Sequence, residues 1–376
     1  MLLKNCIFQN AHLTNVYRPT FTAALRRKMR LKQALEKNEN PNIKNINKLK
    51  MDISEKNFNQ VSDNLLSFLR DELGDSKVDY EACPSRIQGG NETYIFQFKL
   101  KNVHPSLSEP MVLRIFRKDL GFRPKHAIME SVVHNSLVDQ GVPVPYVHYS
   151  CIDKKYLGEQ FMIMDFLPGA MLHLVFGQDS IIVLGKMHAA LHNVNPNQLN
   201  KSMITEGFGG QQYSIEGKFG LLLKATERFP WLKQIVVWLI ENRPSECENP
   251  SICHGDFHEG NLLAKDGKVT GILDWSQCRI GDPVVDVAAT LVLQKAVFKH
   301  TVPSYDSNSA SQIYLQSYRR EKELNDQYLE YFQIFRYATA LRAAAHGNWF
   351  WSQPPILNEL INNVYDISKI DVKVPD

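Results

Sequence analysis

The chain has 376 residues, 44% hydrophobic and 22% charged, as expected of a soluble globular protein with one large core or two lobes. A formal net charge of +3 is too small to mark a nucleic-acid binder. Cys6, Cys83, Cys151, Cys247, Cys253 and Cys278 form no CxxC pair, which argues against a zinc ribbon or a thioredoxin motif and suits a reducing compartment.

Residues 1–50 differ from the rest. No acid precedes Glu36, and Arg26, Arg27, Lys28, Arg30 and Lys32 cluster. From Asn38 the letters turn to Asn and Lys with Pro41, which reads as a linker. Three readings stay open: a disordered or weakly helical extension, an organelle-targeting segment, or an upstream mis-start with Met51 as the first residue. The start lacks the continuous apolar stretch of a signal peptide, and no run is long enough to span a bilayer. From Ser54 to Leu73 apolar residues recur at helical spacing, with Ser54 as N-cap and Gly74 as stop. Gly89, Gly90 and Asn91 then precede a β-rich run around Ile95, Phe96 and Phe98.

Met111 to Lys118 reads as a strand. Alternation puts Val112, Arg114 and Phe116 on one face and Leu113, Ile115 and Arg117 on the other. His126 to Gln140 is helical and carries Glu130 as its one early acid. Two further strands cover Tyr146 to Ile152 and Gln160 to Phe166, and Pro168-Gly169 marks a crossing. The chain then turns helical. His188 and His192 lie at i and i+4 without the glutamate of HExxH, so a packed or solvent-facing pair is expected rather than a metal site.

The densest chemistry lies between Cys253 and Asp286. His254-Gly255-Asp256 is followed by Asn261 and then Asp274. From Asn261 the letters read as a hairpin: Asn261 to Lys265, a turn at Asp266-Gly267, and a second run from Lys268 to Trp275. The hairpin would carry Asp274, inside an apolar run, back beside Asp256 and Asn261. An unpaired carboxylate in such a run is costly, and ligation of a metal explains it. His254 and His258 are also at i and i+4, but no third zinc ligand stands at familiar spacing. Beyond Asp286 the chain is helical. Tyr328, Tyr331, Phe332, Phe335 and Ala338 form a stripe expected in the core, and Asn348 to Trp351 is dense enough to wall a pocket.

Three pieces in this order, His254-Gly255-Asp256-x-His258-x-x-Asn261, Ile272-Leu273-Asp274-Trp275 and Gly281-Asp282-Pro283-x-x-Asp286, resemble the aminoglycoside phosphotransferase and choline kinase superfamily. The resemblance implies a two-lobed, protein-kinase-like α+β fold. Residues 51–164 would form a small lobe with an antiparallel sheet, and 165–376 a mainly helical lobe. It implies ATP-dependent phosphorylation of a small-molecule hydroxyl, with Asp256 as the base and Asn261 and Asp274 holding Mg²⁺. Gly89, Gly90 and Asn91 would cover the phosphates. Arg114, in place of the protein-kinase lysine and held by Glu130, would bind them. The backbone from Met162 to Phe166, Met164 and Phe166 included, would meet adenine. His254 would brace the loop, and Asp286 would accept hydrogen bonds from the loop's backbone. A cytoplasmic location is expected, with no nucleic-acid partner and no transmembrane segment. Gly255 in place of the protein-kinase arginine, and Asp-Trp in place of DFG, favour a small molecule over a protein acceptor. A catalytically inactive nucleotide-binding scaffold is the non-enzyme alternative. The evenly mixed charges of the C-terminal helices do not favour a polycationic aminoglycoside, and the acceptor stays open.

Overall fold

The computed structural model describes residues 58–87, 93–117, 124–208, 215–245 and 247–375. Ser54, the basic stretch 1–50 and the triplet Gly89, Gly90 and Asn91 lie outside these residues. The described chain falls into two compact units. One holds the residues up to Gly141 together with Pro145–Leu167, and the other holds Val142–Val144 and the chain from Pro168 onward.

The first unit opens with helix α1 (Phe58–Leu73), whose Val61, Leu65, Phe68 and Leu69 are buried as their spacing requires. Gly74 ends it at φ +66°, with its N–H donating to Arg70 O at 2.8 Å, a left-handed stop that glycine takes without strain. Strands β1 (Asp79–Arg86), β2 (Thr93–Lys101), β3 (Met111–Phe116), β4 (Val147–Cys151) and β5 (Phe161–Asp165) form an antiparallel sheet in the order β1-β2-β3-β5-β4. Helix α2 (His126–Val138) joins β3 to β4. Period-two alternation sorts the central strand. Met111, Leu113 and Ile115 pack with α1 residues, Phe96, Phe98 and Phe161 on one face. Val112 and Phe116 pack with Ala127, Met162 and Met164 on the other. Every residue of β3 is buried, including Arg114, so its charge must be answered inside the unit.

The second unit carries β6 (Ala170–Met171) and helices α3 (Ser180–His192), α4 (Pro196–Thr205), α5 (Ile215–Arg228) and α6 (Lys233–Glu241). Strands β7 (Ser251–Cys253), β8 (Leu262–Lys265), β9 (Lys268–Ile272) and β10 (Arg279–Gly281) follow, then helices α7 (Pro283–Val292), α8 (Ser307–Arg319), α9 (Leu329–Ala345) and α10 (Pro354–Ser368). A π-helical segment, Leu293–Phe298, continues α7. The β8–β9 hairpin turns at Asp266 (φ +51°) and Gly267 (φ +71°), the two left-handed positions a tight two-residue hairpin needs. Strand β6 extends it to three strands, and β10 pairs with β7. Tyr331, Phe332, Phe335 and Ala338 of the aromatic stripe are buried along α9, while Tyr328 stands just before the helix. No described helix is long and apolar enough to cross a membrane.

Candidate active site

The loop after β7 is built around one carboxylate. Asp286, on the first turn of α7, accepts the His254 N–H at 2.5 Å and the Gly255 N–H at 2.7 Å. Its Oδ2 also receives His188 Nε2 at 3.0 Å and His192 Nε2 at 3.3 Å. Three of these donors meet Oδ2 and one meets Oδ1, so the carboxylate is held from both oxygens. The histidine Nδ1 atoms accept from Tyr314 and Tyr318 hydroxyls, each at 2.7 Å. His188, His192 and Asp286 are the one group of this kind able to hold a cation among the described residues, but their polar atoms already have protein partners. The histidine pair is packed in this network, as the sequence led one to expect of a packed or solvent-facing pair. Burial pushes the Asp286 carboxyl up, but the two histidines outweigh it and hold the group well below the ordinary aspartate value. Burial drives His188 down to about 4, so it is neutral at pH 7. Gly185 lets α3 and α8 approach, because a Cβ there would sit 2.6 Å from Tyr314 O.

From this anchor the loop is shaped residue by residue. Gly255 takes φ +87°, and a Cβ on it would lie 2.6 Å from Gln277 O, so no side chain fits. His254 accepts the Asp256 N–H on Nδ1 at 3.2 Å and donates from Nε2 to Leu273 O at 2.8 Å. Trp275, fully buried, packs a tilted ring on His254 at 4.6 Å. Thr290 Oγ1 donates to Phe257 O at 2.8 Å, fastening the loop to α7. Asp256 is partly buried. Burial pushes its carboxyl up, but His258, then Arg336 and His254, hold it below the ordinary value, so it is ionised. His258 accepts the Gly260 N–H on Nδ1 at 3.1 Å, which leaves the Nε2 proton facing Asp256 Oδ2 at 3.7 Å. His254 and His258 are thus engaged separately and share no metal geometry.

Asn261 donates from Nδ2 to Asp256 O at 2.9 Å, which leaves its amide oxygen as an acceptor. Its backbone O accepts the Leu273 N–H at 2.8 Å. The hairpin therefore returns Leu273, and Asp274 after it, beside Asn261. One expectation needs correcting: Asp274 is not inside the strand. Strand β9 ends at Ile272, and Asp274 adopts φ +62° in the turn beyond. Asp is one of the few side chains that enters this region at modest cost. The donor set, one amide oxygen and one carboxylate, suits a hard divalent cation such as Mg²⁺.

In the first unit Arg114 Nη1 is ion-paired with Glu130 Oε1, both deeply buried. Arg114 Nε also donates to Thr93 Oγ1 at 3.3 Å. His126 and His134 approach Glu130 at 3.5 and 3.7 Å. Burial pushes the Glu130 carboxyl up, but Arg114 and these histidines hold it well below the ordinary glutamate value. Met164 lies in β5, paired with Val112 and Val147. The Phe166 N–H is already donated to Pro110 O at 3.1 Å, so that amide is not open to a ligand.

Residues that the sequence reading passed over stand by the loop. Arg336 of α9 and Lys218 of α5 lie within electrostatic reach of Asp256, and Arg279 opens β10. Trp351, from the aromatic run singled out above, lies over the Arg336 guanidinium at 5.2 Å, whereas Trp349 is 78% exposed.

Comparison with known proteins completes the picture. The phosphotransferase enzyme family model matches residues 85–349. Human acyl-CoA dehydrogenase family member 11 is 28% identical over 195 residues, 49% of this chain and 25% of that protein. Probable acyl-CoA dehydrogenase IBR3 of Arabidopsis thaliana is 28% identical over 165 residues, 39% of this chain and 20% of that protein. The matches span about a quarter of the length of these relatives. Among solved structures, a thermostable mutant of an aminoglycoside phosphotransferase in ternary complex with ADP and hygromycin B superposes with TM-score 0.55 at 15% identity. It covers 81% of this chain and 98% of that one. A macrolide 2'-phosphotransferase type I gives TM-score 0.53 at 16% identity, covering 82% and 98%. The fold is that of the kinase-like phosphotransferases, and with the family model matching well over half its length this chain belongs to the phosphotransferase enzyme family.

Proposed function

We propose that this protein transfers the terminal phosphoryl group of ATP to a hydroxyl of a small molecule. The observation that carries the reading is the catalytic-type loop: Asp286 pins the backbone at His254 and Gly255, and Asn261 pins it at Asp256 O. Asp256 is then a fixed, ionised carboxylate able to orient a hydroxyl and take its proton. The hydroxyl oxygen forms a bond to the terminal phosphorus while the bond from that phosphorus to the bridging oxygen breaks. ADP leaves with the electron pair, and the proton goes to Asp256. Asn261 and Asp274 would hold Mg²⁺, which neutralises phosphate charge when bound. Arg114, positioned by Glu130, would bind inner phosphates, and Gly89, Gly90 and Asn91 would cover them. Adenine would meet the backbone of Met164 and the carbonyl, not the amide, of Phe166. Catalysis of this kind is mainly positioning and charge stabilisation.

The named activity of the dehydrogenase-family relatives is not carried over, because the matched stretch is a minor part of each. The free cysteines, Cys83, Cys151, Cys247, Cys253 and Cys278 among the described residues, suit the cytoplasm. The test is ADP release with Mg·ATP over a panel of hydroxyl metabolites and antibiotics. Asp256→Asn should keep nucleotide binding, read by melting, and lose about 10²–10⁴-fold in turnover. A variant that keeps more than half the wild-type rate removes Asp256 as the base. A wild type that binds Mg·ATP and phosphorylates nothing would be a scaffold.

A further inference from the structure

Three basic residues from three separate elements, Lys218, Arg279 and Arg336, stand near the Asp256 turn, where Asp256 and Asp286 are the acids within electrostatic reach of Lys218. Arg279 is the Cα partner of Cys253, the residue just before the His254-Gly255-Asp256 turn. It is 8% exposed, and its buried Nε has no hydrogen-bond partner. Arg336 likewise has a buried Nε without a partner, and the Trp351 ring lies over its guanidinium at 5.2 Å. Lys218 Nζ donates to Gln277 Oε1 at 3.0 Å. Gln277 is the residue whose backbone fills the space left by the missing Cβ of Gly255, so Lys218 is tied to the catalytic-type turn itself. Helices α5 and α9 are held together by stacked rings, Phe219 on Phe335 at 6.4 Å and 7°, and Lys218 and Arg336 are the sequence neighbours of that stack.

The buried Nε atoms of Arg279 and Arg336 have no hydrogen-bond partner, and the three basic residues share the field of the single ionised carboxylate of Asp256 at the turn. Asp286, which could have answered them, spends its oxygens on the loop and the histidines. Burial holds the Lys218 ammonium well below the ordinary lysine range, with Arg279 and Arg336 pushing the same way and Asp256 and Asp286 opposing. Burial also lowers Arg336, with Asp256 opposing and Arg279 adding to the shift. Buried guanidinium donors without a partner are costly, and an anion would remove that cost. Lys218 and Arg336 each keep part of their surface exposed, so a ligand can reach them. A cationic acceptor would meet a repulsive field at the same place.

We infer that Lys218, Arg279 and Arg336 form a subsite for an anionic group, a carboxylate or a phosphate, carried by the hydroxyl acceptor. The inference rests on the phosphotransfer reading above and narrows the acceptor to hydroxy acids or phosphorylated alcohols. The same cations could instead face the terminal phosphate of the nucleotide, and the test separates the two sources.

The full chain, with and without saturating Mg·AMP-PNP, is melted in inorganic phosphate, in lactate and in choline chloride at constant ionic strength. ADP release is then measured for hydroxycarboxylates against their methyl esters. Phosphate and lactate should raise Tm, and choline should not. Arg336→Gln and Lys218→Met should each abolish the rise, with Lys218→Arg restoring it. Hydroxycarboxylates should exceed their esters by about 100-fold in kcat/KM, and either variant should cut that ratio by about 10-fold at an unchanged KM for ATP. A preference for neutral or cationic acceptors overturns the inference. So does a phosphate response that vanishes when Mg·AMP-PNP is bound, together with a raised KM for ATP in the variants, since that assigns the cations to the nucleotide. A variant-sensitive anion response without any phosphorylated acceptor leaves the anion site standing and takes down the phosphotransfer reading instead.

Discussion

Each unit of this protein buries one carboxylate among histidines, and the two are built differently. Asp286 in the second unit receives four donors between 2.5 and 3.3 Å, two of them backbone N–H groups of the catalytic-type loop. Its histidines are in turn fixed by Tyr314 and Tyr318. Glu130 in the first unit has one strong partner, Arg114, with His126 and His134 standing off at 3.5 and 3.7 Å. The first arrangement is crowded: both oxygens accept, and two of the four donors belong to the loop it holds. The second is a pair with loose surroundings. It fixes the place of Arg114, whose Nε also donates to Thr93 Oγ1. A hub that gathers loop and helix donors suits a scaffold, and a single ion pair suits the positioning of one side chain.

The difference can be broken experimentally, and the largest effect should come from the crowded hub. Asp286→Ala removes the acceptor for four donors at once. Breaking a buried charged network this way costs about 3–5 kcal/mol. Denaturant melts should show that loss, and any folded fraction should turn over poorly because the loop is released. If Asp286→Ala melts within 1 kcal/mol of wild type, the hub is not the anchor described here.

Acid should open the same hub before it touches the other. His188 has a folded-state value of about 4 against 6.5 when unfolded. The unfolded chain therefore binds more protons between those values, and stability must fall as pH drops from 6.5 toward 4. For His188 alone the loss is about 3 kcal/mol over that window. The carboxyls of Asp286 and Glu130 are both held well below their ordinary values. Their contributions are lost only at lower pH, beneath the ordinary carboxylate range. Urea midpoints at pH 7, 5.5 and 4.5 check this, and His188→Gln should flatten the decline. A stability flat across that range contradicts the neutral buried histidine.

Glu130→Gln should be milder. Glutamine keeps an acceptor for Arg114 and loses only the charge, so the expected cost is about 1–3 kcal/mol. The sharper readout is functional: KM for ATP should rise, because without the charge Arg114 is held less firmly, while kcat changes less. An unchanged KM for ATP would make the pair structural only. Smallest of all, Tyr314→Phe deletes one hydroxyl from the edge of the crowded network and leaves His188 Nδ1 without its donor. About 1 kcal/mol of stability should go, with turnover nearly intact. A loss as large as that of Asp286→Ala would mean the network is held from its tyrosine end.

How far the letters reach can be judged from particular residues. The turn at Asp266-Gly267 was legible because only a few residue types take two consecutive left-handed positions. The alternation in Met111 to Phe116 was legible because a strand in a two-faced core has period two. The pairing of Arg114 with Glu130 was legible only through likeness to a known family, since nothing local ties a strand arginine to a helix acid 16 positions on. Asp274 was read inside its strand, but the strand stops two residues earlier. Residue type does not reveal where a ladder ends in a left-handed turn.

Local chemistry thus set the elements, their turns and the order of the motif residues, because those depend on short-range sterics and periodicity. Tertiary structure alone decided the rest. Two i, i+4 pairs lying 126 residues apart, His188 with Tyr314 and His192 with Tyr318, meet only because Gly185 lets two helices close up. Lys218, Arg279 and Arg336 come from a helix, a strand and another helix, and read singly each is an ordinary basic residue. Their meaning lies in acting on one another and on Asp256 across the fold, and a sum of charges over three-dimensional distance is not written in any local stretch of the chain.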